Sequence, residues 1–297
     1  MVPLTLHLQN EFVGGSDIIS SFTEALNSSS LKFLSLSSCG GLSDAFAERF
    51  FLRLNSPHLS NLQLSATGLT RTAVPHIIKY ISSPRSNRLA TLKLSGNNLS
   101  ARGAWKITQG IKRANFNILN VEMYGVRTRS YQGDQEDSSE GDSSNISSAQ
   151  HGTAIRFEDD LRSTLTRNEV LQRSTHAAAF RLLRYSRTLL LKPRGASEHE
   201  STRSPFHLQS LPTELQLHIL SLTVDTLSTN QRLRIFQFAS DLNTLPEILP
   251  DLRRRQSEGT PGLSLLKKSS TPFTLSPRDA NRTQWLRTVG CDLYETR

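Results

Sequence analysis

The chain has 297 residues, 36 % of them hydrophobic, with 35 Lys and Arg against 26 Asp and Glu for a net charge of +9. That length allows one large domain or two smaller ones, and the modest apolar share excludes a compact core running the whole way. No run of about 18 apolar residues exists, so no transmembrane helix and no membrane partner are expected. The opening MVPLTLHLQNEFVGG has neither the basic start nor the cleavage pattern of a secretory signal. Two cysteines, Cys39 and Cys291, lie far apart and cannot build a zinc site from Cys pairs. The reducing interior of a cell, cytoplasm or nucleus, is the expected setting.

Leucine strings recur in phase through the first half. LKFLSLSSCGGL begins at Leu31, LSNLQLSATGL at Leu59, LATLKLSGNNL at Leu89 and ILNVEMYGV at Ile118, at intervals of 28, 30 and 29 residues. PLTLHL, from Pro3, fits the same frame. Leu89, Leu92 and Leu94 alternate as on a short strand. Asn97 falls where the chain leaves that strand, and Cys39 and Thr67 hold the same slot; an Asn there can bond backbone groups that burial would otherwise leave unpaired. Helix-like stretches follow each strand: DAFAERFFLRL, TAVPHIIKYI and ARGAWKITQGIK. Asp44 and Thr70 are candidate helix caps, and Phe46, Phe50, Phe51 and Leu54 recur at helical spacing.

These strings resemble the ribonuclease-inhibitor-like leucine-rich repeats, most strongly over Leu31–Lys112. The resemblance implies an α/β leucine-rich-repeat solenoid, with parallel strands on the concave side and helices on the convex side, followed by a small α-helical region. About four repeats and a truncated first would fill residues 1–129. No polar capping unit precedes the first, so either the native chain is longer or something else covers that edge. Strand positions that alternate with the buried leucines face outward: Ser35, Gln63, Lys93 and Glu122, with Ser65, Ser95 and Tyr124 beside them. They are the expected partner-binding residues, with the aromatic Tyr124 as anchor.

Composition changes after Val126. Ser130–Gly152 carries five carboxylates, no Lys or Arg and almost nothing to bury, so an acidic, Ser-rich disordered insertion is expected over 130–155. Within it, Ser139-Glu-Gly-Asp142 suits an acid-directed kinase. Residues 156–192 are expected to hold the tail of a last repeat, with Leu161 and Leu165 before an Arg-Asn break, and then a capping helix. In that helix Phe180, Leu183, Arg187 and Leu190 share one face. A linker is expected over 193–205, a helical segment over 206–252, a second linker over 253–280 and a short terminal helix over 281–297.

In the helical segment, Pro212 suits a first helical turn and Glu214 its positive end. Leu215, Ile219 and Leu222 form one face, and a second helix runs through Leu233, Phe236 and Ala239. The string Leu211-Pro212-x-Glu214-Leu215-x-x-x-Ile219-Leu220 resembles the first helix of an F-box. That resemblance implies a substrate-recognition subunit of a cullin–RING (SCF-type) ubiquitin ligase, with Leu211, Pro212, Leu215 and Ile219 docking a Skp-type adaptor. Ran GTPase-activating proteins share the repeat type, which keeps a small-GTPase regulator open as an alternative, beside a scaffold with no ubiquitin link.

Convergent chemistry is absent from the pattern. None of the eight His has zinc or metalloprotease spacing, and no phosphate loop, dinucleotide fingerprint or nucleophile elbow occurs. Arg253-Arg254-Arg255 and Lys267-Lys268 are short basic runs beside linkers, and the charge lacks aromatic interleaving, so nucleic acid is disfavoured. The expectation is a non-catalytic protein-interaction protein with no cofactor and no metal.

Overall fold

The structure, a computed structural model, describes residues 5–7, 16–125, 146–190, 211–244 and 277–296. The chain divides into two compact units, Met1–Gln172 and Arg173–Arg297.

In the first unit, strands β1 (Thr5–His7), β2 (Phe33–Ser35), β3 (Asn61–Gln63), β4 (Thr91–Lys93) and β5 (Asn120–Glu122) form one parallel sheet in chain order. Each connection carries a helix: α1 (Ser16–Ser28), α2 (Asp44–Arg53), α3 (Val74–Ile81) and α4 (Ala101–Ala114). Parallel neighbours require such crossovers, because the chain must return to the same end of the sheet. The register aligns Leu34, Leu62, Leu92 and Val121 across four strands. The first three are fully buried, and Val121 is 7 % exposed. They meet Phe46, Phe50 and Phe51 of α2, Ile77 and Ile81 of α3, and Ile107 and Ile111 of α4 in one apolar core. Phe46 stacks on Phe50, and Phe51 meets Phe50 edge-on.

Asn97 ties neighbouring turns together from 3 % exposure. Its Oδ1 accepts from the backbone N–H of Thr67 at 3.0 Å and of Leu69 at 3.1 Å, and from the Thr67 hydroxyl at 3.2 Å. Its Nδ2 donates to the carbonyls of Leu64 and Leu94 at 2.6 and 2.9 Å. The turn just before that slot is left-handed at the exits of β2 to β5: Ser38 (φ 65°), Ala66 (φ 53°), Gly96 (φ 73°) and Gly125 (φ 72°). Ladder bonds pass through it, from Ser38 N–H to Ser65 O and from Ala66 N–H to Ser95 O, each at 2.8 Å.

Asp44 is not the cap of α2; Ser43 holds that position, and Asp44 reaches sideways instead. Its carboxylate accepts from the Thr70 N–H at 2.8 Å and from the hydroxyls of Thr70 and Thr72. Burial pushes this carboxyl up, but those hydrogen bonds outweigh it and hold it below the ordinary Asp range. A carboxyl lowered on folding stabilises the fold above its unfolded pKa, and that stability is lost as pH falls through the folded value. The first unit is therefore expected to lose melting temperature below about pH 4 more steeply than the Asp44→Asn protein does. Thermal melts from pH 7 to pH 2.5 check this, and parallel profiles would refute it.

The fold class expected from the leucine strings needs correction. The chain is not plainly a leucine-rich-repeat solenoid with a small helical appendage. It is a mixed α/β protein in which three-residue strands are the minor component and eight α-helices, among the described residues, are the major one. Among the described residues, no repeat remnant or separate capping helix follows β5. A single 45-residue helix, α5 (Ile146–Leu190), takes the place of both. It also includes the last ten residues of the expected disordered insertion, while 126–145 lie outside the described residues. The Arg-Asn pair read as a break is inside α5. There Asn168 is fully buried and donates to the carbonyls of Asn115 and Ile118 at 3.2 and 2.8 Å.

The second unit contains the end of α5 with α6 (Thr213–Leu222), α7 (Thr229–Ser240) and α8 (Pro277–Thr288). Its core joins Ala179, Leu182, Leu220, Leu227, Ile235, Leu286, Val289 and Cys291. The buried side of α5 is thus Ala178, Ala179, Leu182 and Ser186, and Phe180 and Leu183 are only partly covered. Ser228 and Gln231 close a capping box at the start of α7. Gln231 Nε2 also donates to Gly290 O and Leu293 O, each at 2.9 Å, which seats the chain beyond α8. Cys291 is fully buried, and burial, then Glu295, pushes its thiol up to about 12. Residues 206–210 and 245–252 of the expected helical segment, the basic runs at 253–255 and 267–268, the linker at 193–205 and residues 253–276 of the second linker lie outside the described residues, and the last four residues of that second linker begin α8.

Candidate functional site

Alternation on a strand sends every second side chain away from the core. Phe33, Asn61, Thr91 and Asn120 form one outward row, in register across β2 to β5. Ser35, Gln63, Lys93 and Glu122 form the next. Adjacent members stand one strand spacing apart, about 4.8 Å. The second row was expected from the sequence and the first was missed. Two steps back from each expected position would have found it.

Within the second row, Lys93 Nζ lies 2.9 Å from Glu122 Oε1, with both side chains a little under a third exposed. The face therefore carries a paired charge and no net charge along this row. Ser35 is 6 % exposed and is withdrawn as a contact residue, because a hydroxymethyl group between two paired strands does not clear its neighbours. Tyr124 is 74 % exposed, and its N–H donates to Ser95 Oγ at 3.1 Å, which fixes the backbone beneath the free ring. Asn61 Oδ1 is buried with no hydrogen-bond partner.

A second expected set sits in the other unit. Pro212 is the N-cap of α6. Leu211 is half-buried and its carbonyl accepts from Gln216 Nε2 at 2.8 Å. The helix buries Gln216 and Leu220, while Leu215, Ile219 and Leu222 stand 49, 36 and 66 % exposed. Leu233 of α7 is exposed rather than part of the core.

Among the described residues, no group of three His, Cys, Asp or Glu is placed to hold a metal. No helix of the described residues is long and apolar enough to cross a membrane. His176 is half-buried in the second unit. Burial pushes its imidazole down, against the opposing pull of Asp292.

No family model matches the chain, and no curated protein matches it. Among solved structures, leiomodin-1 actin-binding site 2 is 16 % identical, covers 60 % of this chain and 87 % of its own, and gives a TM-score of 0.42. The Caenorhabditis elegans tropomodulin C-terminal domain is 14 % identical, covers 56 % and 84 %, and gives 0.37. Likeness at this level says nothing of what this chain binds. The comparisons lend the leucine-rich-repeat, ribonuclease-inhibitor-like, F-box-like and ubiquitin-ligase-complex assignments no support, and these are withdrawn.

Proposed function

We propose that the protein is a non-catalytic, intracellular protein-binding module, and that its partner docks on the outward strand face around Gln63, Lys93, Glu122 and Tyr124. One observation carries this reading: a tyrosine ring, 74 % exposed, stands at the end of an in-register polar row on the parallel sheet. Exposed aromatic side chains on fixed backbone lose little entropy on binding and tend to dominate interface energies. The Skp-adaptor role rested on the F-box-like string and is not carried forward. A Ran-GTPase-activating role has no observation in the geometry behind it.

The test begins with cross-linked co-purification to identify a stoichiometric partner, followed by titration of that purified partner. Tyr124→Ala is expected to weaken binding by about tenfold to a hundredfold, a loss of ~1.4–2.8 kcal/mol, with the melting temperature unchanged. Lys93→Glu places two carboxylates opposite each other and should weaken the same partner. Affinities unchanged in both proteins would move the interface elsewhere.

A further inference from the structure

We propose that the outer face of α4 is a second docking surface, built for a carboxylate-rich segment of a protein partner. It does not depend on the strand-face reading.

The helix buries Gly103, Ala104, Ile107, Thr108 and Ile111 against the core. Its other side presents Arg102, Trp105, Lys106, Gln109, Lys112 and Arg113, spaced three and four residues apart on one stripe. The stripe holds four cations and no acid along roughly 16 Å of helix. Trp105 stands 40 % exposed among them. The setting reinforces the sign: residues 18–125 contain 12 Lys and Arg against 4 Asp and Glu. The outward strand row spends one cation, Lys93, on Glu122.

The occupant's chemistry is visible at one end of the stripe. Asp160 of α5 places its carboxylate there, accepting from Lys112 Nζ at 3.2 Å and from Gln109 Nε2 at 3.3 Å. Both are donors of the same stripe. Beyond this seat, Arg102 and Lys106 have no ionic partner among the described residues. A segment bearing two or three carboxylates at helical or extended spacing continues what Asp160 begins, with apolar groups covering the Trp105 ring. Nucleic acid fits less well, because the donor set includes the neutral Gln109 and the acceptor it already holds is a carboxylate.

The test uses the full chain and a fluorescein-labelled dodecapeptide of Asp, Glu and Leu. Its Asn/Gln analogue and a 24-base-pair DNA duplex serve as comparators, and anisotropy is read at 50 and 500 mM NaCl. The acidic peptide should bind, its amide analogue should not, and 500 mM salt should weaken binding at least tenfold, as the screening length shrinks toward 4–5 Å. Arg102→Glu with Lys106→Glu should weaken it tenfold or more. These side chains are solvent-exposed, so circular dichroism should stay unchanged. Tyr124→Ala should leave the affinity within twofold, whatever becomes of the strand-face reading. Any of three results overturns the proposal. One is DNA competing at equal or lower concentration, and another is charge reversals that leave peptide affinity intact. The third is a tenfold gain when Asp134, Glu136, Asp137, Glu140 and Asp142 are all changed to amides, which makes the chain's own acidic stretch the occupant.

Discussion

Leu92→Asp is expected to unfold residues 1–172. Leu92 is fully buried and aligned with Leu62 on one side and Val121 on the other. A carboxylate there has no donor and no water, so it either stays ionised at great cost or is forced to hold its proton. With cavity and strain included, the loss is on the order of 4–5 kcal/mol, against a typical total of 5–15 kcal/mol. The measurement is the soluble fraction after expression, then circular dichroism and a thermal melt. Lys93→Ala, one residue along, is the contrast. Its ion pair with Glu122 is part-exposed and worth about 0–1 kcal/mol, so that protein should melt almost as wild type does. A Leu92→Asp protein with the melting temperature of wild type would show that β4 does not lie in the core.

Asn97→Ala is expected to cost about 3–5 kcal/mol, more than any surface change in the molecule. The side chain makes five hydrogen bonds, four of them to backbone groups of Leu64, Thr67, Leu69 and Leu94. Truncation leaves the N–H groups of Thr67 and Leu69 and the carbonyl of Leu94 without this partner, while Leu64 O keeps the Thr67 hydroxyl, and each orphan costs about 1–3 kcal/mol before relaxation. Asn97→Asp keeps the acceptor but turns both donors into acceptors facing carbonyls, so it should not rescue. Thr67→Ala removes a buried methyl and a hydroxyl, the latter bonded to Leu64 O at 2.8 Å, and should cost about 1–2 kcal/mol. Urea unfolding of the three proteins, compared at equal slope, checks the ranking. A cost below about 1 kcal/mol for Asn97→Ala would mean water replaces the amide with no penalty.

Much of the first unit was legible because its periodicities are clean. Leu34, Leu62 and Leu92 stand at the middle of strands, and Phe46, Phe50 and Phe51 are buried on α2, where two-residue and 3.6-residue spacing put them. Asn97 was legible too, since a buried amide at a strand exit has few other uses. The class of fold was misjudged because a local string says where a strand is, not how much of the molecule strands make up. Helix α5 was misread as two pieces, since Asn168 has poor helix propensity. Its two bonds to the carbonyls of Asn115 and Ile118 offset that, and propensity does not register a tertiary bond. In the candidate site, alternation placed Gln63, Lys93, Glu122 and Tyr124 on the outward face. It could not show that Ser35 is too small to emerge from between its neighbours, nor that Lys93 and Glu122 neutralise each other. On α6, the stripe Leu215, Ile219 and Leu222 was visible in the spacing. Which side of that helix faces inward was not, because the buried positions include the polar Gln216.

The chain-order sheet has a kinetic consequence. Each strand pairs only with those before and after it, across 28 to 30 residues, so no pairing must wait for distant parts of the chain to meet. Assembly is cheapest where a pairing brings extra bonds at once, and β3 with β4 does so through Asn97. The turn between Leu64 and Leu99 is thus the expected nucleus, with β2 and β5 joining outward from it, and φ-values near 1 at Asn97 would check this. Opening is expected to run the other way, so that the Thr67 and Leu69 amides held by Asn97 are among the slowest to exchange with solvent deuterium.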